Sequence, residues 1–202
     1  FVDLSGHQRF YVNGEARSGR PKGAGMMKYP VNLKEGDNEI LVHVKDGPVL
    51  LKVKPLAETD DTIRFLQYDR VLPWLDDLQP VDVHASLLLV NAGPPLNDLR
   101  IATKTRFKPL NEWADYPDDA VPGVWEYEAV DSIPGWSMTK IPFQVIGPPP
   151  HKRSGIPYPV DVQLQRASDG EVLATFVFNM STRNKGNHEL RTWRDRLGTV
   201  QS

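Results

Sequence analysis

Val81-Asp82-Val83-His84-Ala85-Ser86-Leu87-Leu88-Leu89-Val90 decides the fold. Its first half alternates apolar and polar with the two-residue period of a strand, and Ala85 to Val90 is an apolar stretch of strand length. Asn91-Ala92-Gly93-Pro94-Pro95 ends the strand, and Leu99-Arg100-Ile101-Ala102-Thr103 returns in the same alternating style. Glycine and proline are the residues that stop regular structure. With 18 prolines and 15 glycines spread along 202 residues, little room is left for long helices.

Downstream, alternation resumes at Ile141-Pro142-Phe143-Gln144-Val145-Ile146. Val160 to Gln165 and Val172 to Phe178 then pair as a hairpin about Ser168-Asp169-Gly170. Between these blocks, residues 107–140 show no sustained period. Trp113, Tyr116, Trp125, Tyr127 and Trp136 are scattered among prolines there, so the stretch reads as a long aromatic, proline-rich insertion. Residues 81–202 thus predict an immunoglobulin-like β-sandwich carrying that insertion.

Upstream, Phe10-Tyr11-Val12 is closed by Asn13-Gly14, a pair that accepts the positive φ angles of a tight hairpin turn. Further strands follow at Tyr29 to Leu33, Asn38 to Val44 and Val49 to Val53, an antiparallel meander. Residues 1–56 are too few to bury a sheet-on-sheet core alone. Either strands are missing before Phe1 or the unit packs on the second; missing strands are the expectation. Residues 57–80 are assigned as a linker. The start at Phe1, without an initiator methionine or signal peptide, predicts a processed or partial chain.

The segments Phe10-Tyr11-Val12-Asn13-Gly14-Glu15 and Val31-Asn32-Leu33-Lys34-Glu35-Gly36-Asp37-Asn38-Glu39-Ile40-Leu41-Val42 resemble the C-terminal half of galactose-binding-like jelly rolls. The order of the two units also resembles the non-catalytic N-terminal region of secreted bacterial α/β-hydrolase-fold enzymes, peptidase- or esterase-like. The tail from Arg194 to Gln201 is similar to the stretch leading into their catalytic domain. The resemblance implies a secreted or periplasmic bacterial protein with a hydrolase domain in the same polypeptide or in a partner chain.

Composition excludes several other functions. Lysine and arginine number 24 against 26 acidic residues, a formal net charge of −2, so the whole molecule has no charge reason to seek nucleic acid. No apolar run reaches the roughly 18 residues of a membrane span. With no cysteine, disulfides and thiolate chemistry are absent. No Gly-x-Ser-x-Gly elbow occurs, nor a P-loop. Gly23-Ala24-Gly25 lacks the third glycine of a dinucleotide fingerprint, and the residue four after His188 is Thr192, so no zincin pair forms. His7, His43, His84, His151 and His188 are scattered, and no catalytic residue is assigned. No cofactor is expected. The pairs Asp60-Asp61, Asp76-Asp77 and Asp118-Asp119 are candidate ligands for a structural calcium, against the plain reading of solvated turns.

The aromatics of the insertion are the candidate binding residues. Trp113, Trp125 and Trp136 offer flat faces for sugars, and Tyr116 and Tyr127 add hydroxyls. The same rings would also anchor a loop to a sheet or form an interdomain contact. The sequence therefore predicts a non-catalytic accessory region that scaffolds or docks a hydrolase domain or partner. The alternative is a carbohydrate-binding module using the aromatics between residues 113 and 136.

Overall fold

The computed structural model describes residues 1–17, 27–44, 47–57, 61–72, 74–76, 82–106, 123–146 and 157–183. They form strands β1 (Val2–Ser5), β2 (Arg9–Val12), β3 (Glu15–Ala16), β4 (Met27–Tyr29), β5 (Ile40–His43), β6 (Leu50–Val53) and β7 (Ile63–Val71) in the first part of the chain. There follow β8 (Trp74–Asp76), β9 (Asp82–Asn91), β10 (Leu99–Thr105), β11 (Glu126–Val130), β12 (Ser137–Ile146), β13 (Pro157–Arg166) and β14 (Val172–Arg183). Among the described residues there is no helix, so the chain is all-β, a set of sandwiched sheets, as the breaker pattern predicts.

The larger sandwich packs a five-stranded sheet, β11-β10-β13-β14-β8, on a three-stranded sheet, β12-β9-β7. Every pairing is antiparallel except β14 with β8, which is parallel. Two-residue alternation fills the space between the sheets. Leu99 and Ile101 of β10, Val160, Val162 and Leu164 of β13 and Ala174, Phe178 and Met180 of β14 face Ala85, Leu87 and Leu89 of β9 and Ile141, Phe143 and Val145 of β12. The predicted hairpin is present: Leu164 pairs with Ala174, and a bulge follows at Gln165 before Gly170 turns the chain with φ +76°. Pro142 pairs with Ser86 on β12, an edge strand, where its missing N–H can face outward.

The opposite face of β9 is buried too. Leu88 and Val90 are covered, and Leu66 of β7 and Met138 of β12 pack against the first unit. The sheet β12-β9-β7 is therefore a middle layer with apolar contacts on both sides, which explains why Leu87 to Val90 runs apolar instead of alternating.

The first unit is a pair of three-stranded sheets, β4-β1-β6 and β3-β2-β5. Val2, Leu4, Phe10, Val12, Met27, Tyr29 and Val31 form its core, with Leu66, Tyr68 and Met138 closing one side. The unit does pack on the second, the less favoured of the two sequence expectations, because Phe1 seats against Val90 and Ala92. Asn13 and Gly14 have φ of 52° and 79°, making the tight β2–β3 turn that the dipeptide predicts. Asn13 and Asn38 then join the two motifs of the jelly-roll resemblance. Asn13 Nδ2 donates to Asn38 Oδ1 at 2.9 Å, and Glu39 N donates to Asn13 Oδ1 at 2.9 Å. Asn38 also bonds both the N–H and the carbonyl of Lys34, holding the Gly36 turn closed.

Two boundary expectations differ from the structure. Residues 57–80, assigned as a linker, contain β7 and β8, which belong to the sheets of the second unit. Alternation is blurred there because β7 faces two cores and carries a bulge between Leu66 and Val71, with Asp69 at φ 51°. In the stretch 107–140, residues 107–122 lie outside the described residues, whereas β11 and the start of β12 are regular strands. The period of β11 was hidden because it is an edge strand, exposed nearly throughout.

Candidate functional site

The five candidate aromatics do not form one cluster. Trp113 and Tyr116 lie outside the described residues. Trp136 is an anchor between the units: its side chain packs with Phe1, Val90 and Ala92, and its backbone N–H donates to the Gly93 carbonyl at 3.1 Å. Its φ of 52° and the close approach of Gly135 to Gly93 fix that turn, where a Cβ on Gly135 would meet the Gly93 oxygen at 2.8 Å. Asn91, fully buried, braces the same corner by donating to the carbonyls of Pro94 (2.8 Å) and Pro134 (3.1 Å).

Trp125 and Tyr127 stand elsewhere, at the β11 edge of the five-stranded sheet. Register fixes what lies beside them. Tyr127 pairs with Ala102 of β10, and Ala102 with Gln163 of β13. In the adjacent row Ala129 pairs with Arg100, and Arg100 with Gln165. Since Leu99, Ile101, Leu164 and Val162 point into the core, these alternate positions form the outer face.

That face is organised. The Arg100 guanidinium carbon lies 4.5 Å from the Tyr127 ring centroid, and Lys104 Nζ lies 5.8 Å from that of Trp125. Both cations thus sit on the aromatic side of the sheet. Arg100 Nε donates to Gln165 Oε1 at 2.8 Å, and Gln165 Nε2 donates to Gln163 Oε1 at 2.7 Å. Gln165 is buried although it faces outward, so its amide is locked by the ladder. Farther along, Arg106 forks onto Asp161, with Nε donating at 2.5 Å. The Arg106 guanidinium is held above its ordinary range chiefly by that side-chain hydrogen bond. Tyr127 remains 55% exposed, so its ring is available to a ligand.

Sequence reasoning named Trp125 and Tyr127 but missed Arg100, Lys104, Gln163 and Gln165. Their alternation marks them as the outward set of β10 and β13. Only the long-range register brings them beside the rings.

Among the described residues the histidines offer no assembled chemistry. His7 is buried with Nε2 2.9 Å from the Tyr29 hydroxyl, His43 and His84 are exposed, and His151 and His188 lie outside the described residues. Of the acidic pairs, Asp61 is exposed, nothing is described for the Asp76 side chain, and Asp60, Asp77, Asp118 and Asp119 lie outside the described residues. Among the described residues no three His, Asp or Glu side chains converge as metal ligands.

No family model matches the chain, and no curated protein matches it. Solved structures similar to it include a glycosyl hydrolase family 2 member from Bacteroides cellulosilyticus, at 12% identity over 89% of this chain and TM-score 0.40. A Bacteroides uniformis β-glucuronidase is similar at 10% identity over 89% of this chain, with TM-score 0.39. The chain spans 26% and 24% of the length of those two proteins. Both are glycosidases by name.

Proposed function

We propose that the chain is a non-catalytic accessory β region that docks a hydrolase domain, in the same polypeptide or a partner chain, in a secreted or periplasmic setting. One observation carries this reading. Strand β6 lies at a sheet edge, and Leu51 and Val53 pair with Leu4 and Val2, so they share the face that those residues bury in the first core. Leu4 and Val2 are fully buried, yet Leu51 is 38% exposed and Val53 49%. Core-facing side chains left open beside an edge that no described strand pairs make a surface that a further strand or domain covers with gain of apolar burial and hydrogen bonds. The five-ring carbohydrate module is the weaker reading, because Trp136 is committed to the contact between units.

The test is recovery of the natural polypeptide or complex from its source, followed by hydrolase assays on glycoside, ester and peptide substrates. A hydrolase domain, continuous with the chain or bound to it, is expected. The paired substitutions Leu51→Asp and Val53→Asp should loosen its association, read as faster proteolytic separation or lost co-elution. An activity-free preparation, or association indifferent to both substitutions, overturns the reading.

A further inference from the structure

The outer face of β11, β10 and β13 has a composition that docking at β6 does not explain. Three features stand together on it. Two rings, Trp125 just before β11 and Tyr127 on it, are two residues apart, a spacing of about 7 Å where the backbone is extended. The hydrogen-bonded ladder Arg100–Gln165–Gln163 crosses two strands and holds its amides in fixed orientation. The face is also cationic: on these three strands and the residue after β10, Arg100, Lys104 and Arg106 face outward against one carboxylate, Asp161, which is taken by Arg106. Among the described residues neither Arg100 nor Lys104 forms an ion pair; both lie instead against aromatic rings.

Each feature selects a kind of ligand. Flat rings, Tyr127 exposed and Trp125 half-buried, favour the apolar faces of sugar rings. Fixed amides and a phenol bond hydroxyls in both directions. Two cations without partner carboxylates favour an anion, and a guanidinium takes a carboxylate through two parallel bonds. A nucleic acid would ask for a broader basic field than this face offers in a chain of net charge −2. Among the described residues this is an open sheet face, which suits a polymer that passes across it.

We propose that this face binds a carboxylate-bearing polysaccharide. Trp125 and Tyr127 stack on successive sugar units, Arg100 and Lys104 pair with the carboxylates, and Gln163 bonds the hydroxyls, with buried Gln165 holding Arg100 and Gln163 in place. The site is independent of the docking surface at β6, and the two fail separately.

Native affinity electrophoresis tests it with three embedded polymers: polygalacturonate, the same polymer fully methyl-esterified, and a neutral β-glucan. Retardation is expected in polygalacturonate alone. Tyr127→Ala and Arg100→Gln should each weaken it about tenfold, the loss of one stacking or charge-assisted contact. Unchanged circular dichroism shows that the exposed edge position and the polar face still fold. Leu51→Asp, which acts on the docking surface, should leave retardation unchanged. Equal retardation by the neutral polymers overturns the charge assignment and with it the proposal. Retardation by double-stranded DNA that matches polygalacturonate and ignores Tyr127→Ala means general polyanion attraction, which also overturns it. So does the absence of retardation in all three gels.

Discussion

Arg17 Nη1 donates to the backbone carbonyl of Trp136 at 3.4 Å, joining residues 119 positions apart and belonging to different β units. The Trp136 ring completes the same junction with Phe1, Val90 and Ala92. Lys28 and Arg64 approach the Phe1 ring, each 5.7 Å from its centroid. The junction is thus an apolar plug with cations at its rim. Trp136 itself sits at a positive φ of 52°, so the turn that carries it aims its ring at the junction.

Trp136→Ala should therefore destabilise both units together. A half-buried tryptophan loses less than a fully buried one, so a cost of roughly 2 kcal/mol is expected. Urea unfolding followed by tryptophan fluorescence and by circular dichroism should give coincident transitions, both shifted to lower denaturant. A shift in only one probe would mean that the units unfold independently.

The Asn13–Asn38 pair should show coupling in a double-mutant cycle. Asn13→Ala and Asn38→Ala each remove the mutual hydrogen bond, and the coupling energy should be about 1 kcal/mol. Asn13→Ala should also be costly by itself, because φ of 52° strains an alanine. Additive losses in chemical denaturation would show that the two turns fold without each other.

Acid should loosen the β13–β14 turn. The Asp169 carboxyl is held below its ordinary value, first by the Glu171 N–H that it accepts at 2.9 Å and then by Arg166. A depressed folded value means that this contribution is fully present above the ordinary carboxylate range and is lost as pH falls through the folded value. Amide resonances of Gly170 and Glu171 should shift together on acid titration, with a midpoint below that of a free aspartate. Asp169→Asn should flatten the titration. A midpoint at the ordinary value would contradict the contact.

Local chemistry made much of the fold legible. Asn13-Gly14 fixed a turn because few residue pairs accept two positive φ angles, and Ser168-Asp169-Gly170 did the same between β13 and β14. The run from Ala85 to Val90, apolar except for Ser86, marked a strand, and the consecutive apolar residues Leu87 to Val90 also carried a message about a second buried face. Residues 57–80 were harder because β7 serves two cores: Phe65 faces the larger sandwich while Leu66 and Tyr68 meet the first unit. Two-sided burial erases the period that betrays a strand. The candidate face was half legible. Aromatic content flagged Trp125 and Tyr127, whereas Arg100 and Gln165, 65 positions apart, become neighbours only through the β10–β13 register.

The doubly covered sheet β12-β9-β7 also governs how this protein can be inherited or engineered. A recombination crossover near residues 57–61 looks convenient on paper, since it falls between two recognisable modules. It would strip the shelter from Leu66, Val90 and Met138 and leave the remaining piece sticky. The two modules therefore travel as one heritable block, and any graft that borrows one must bring its share of the party wall.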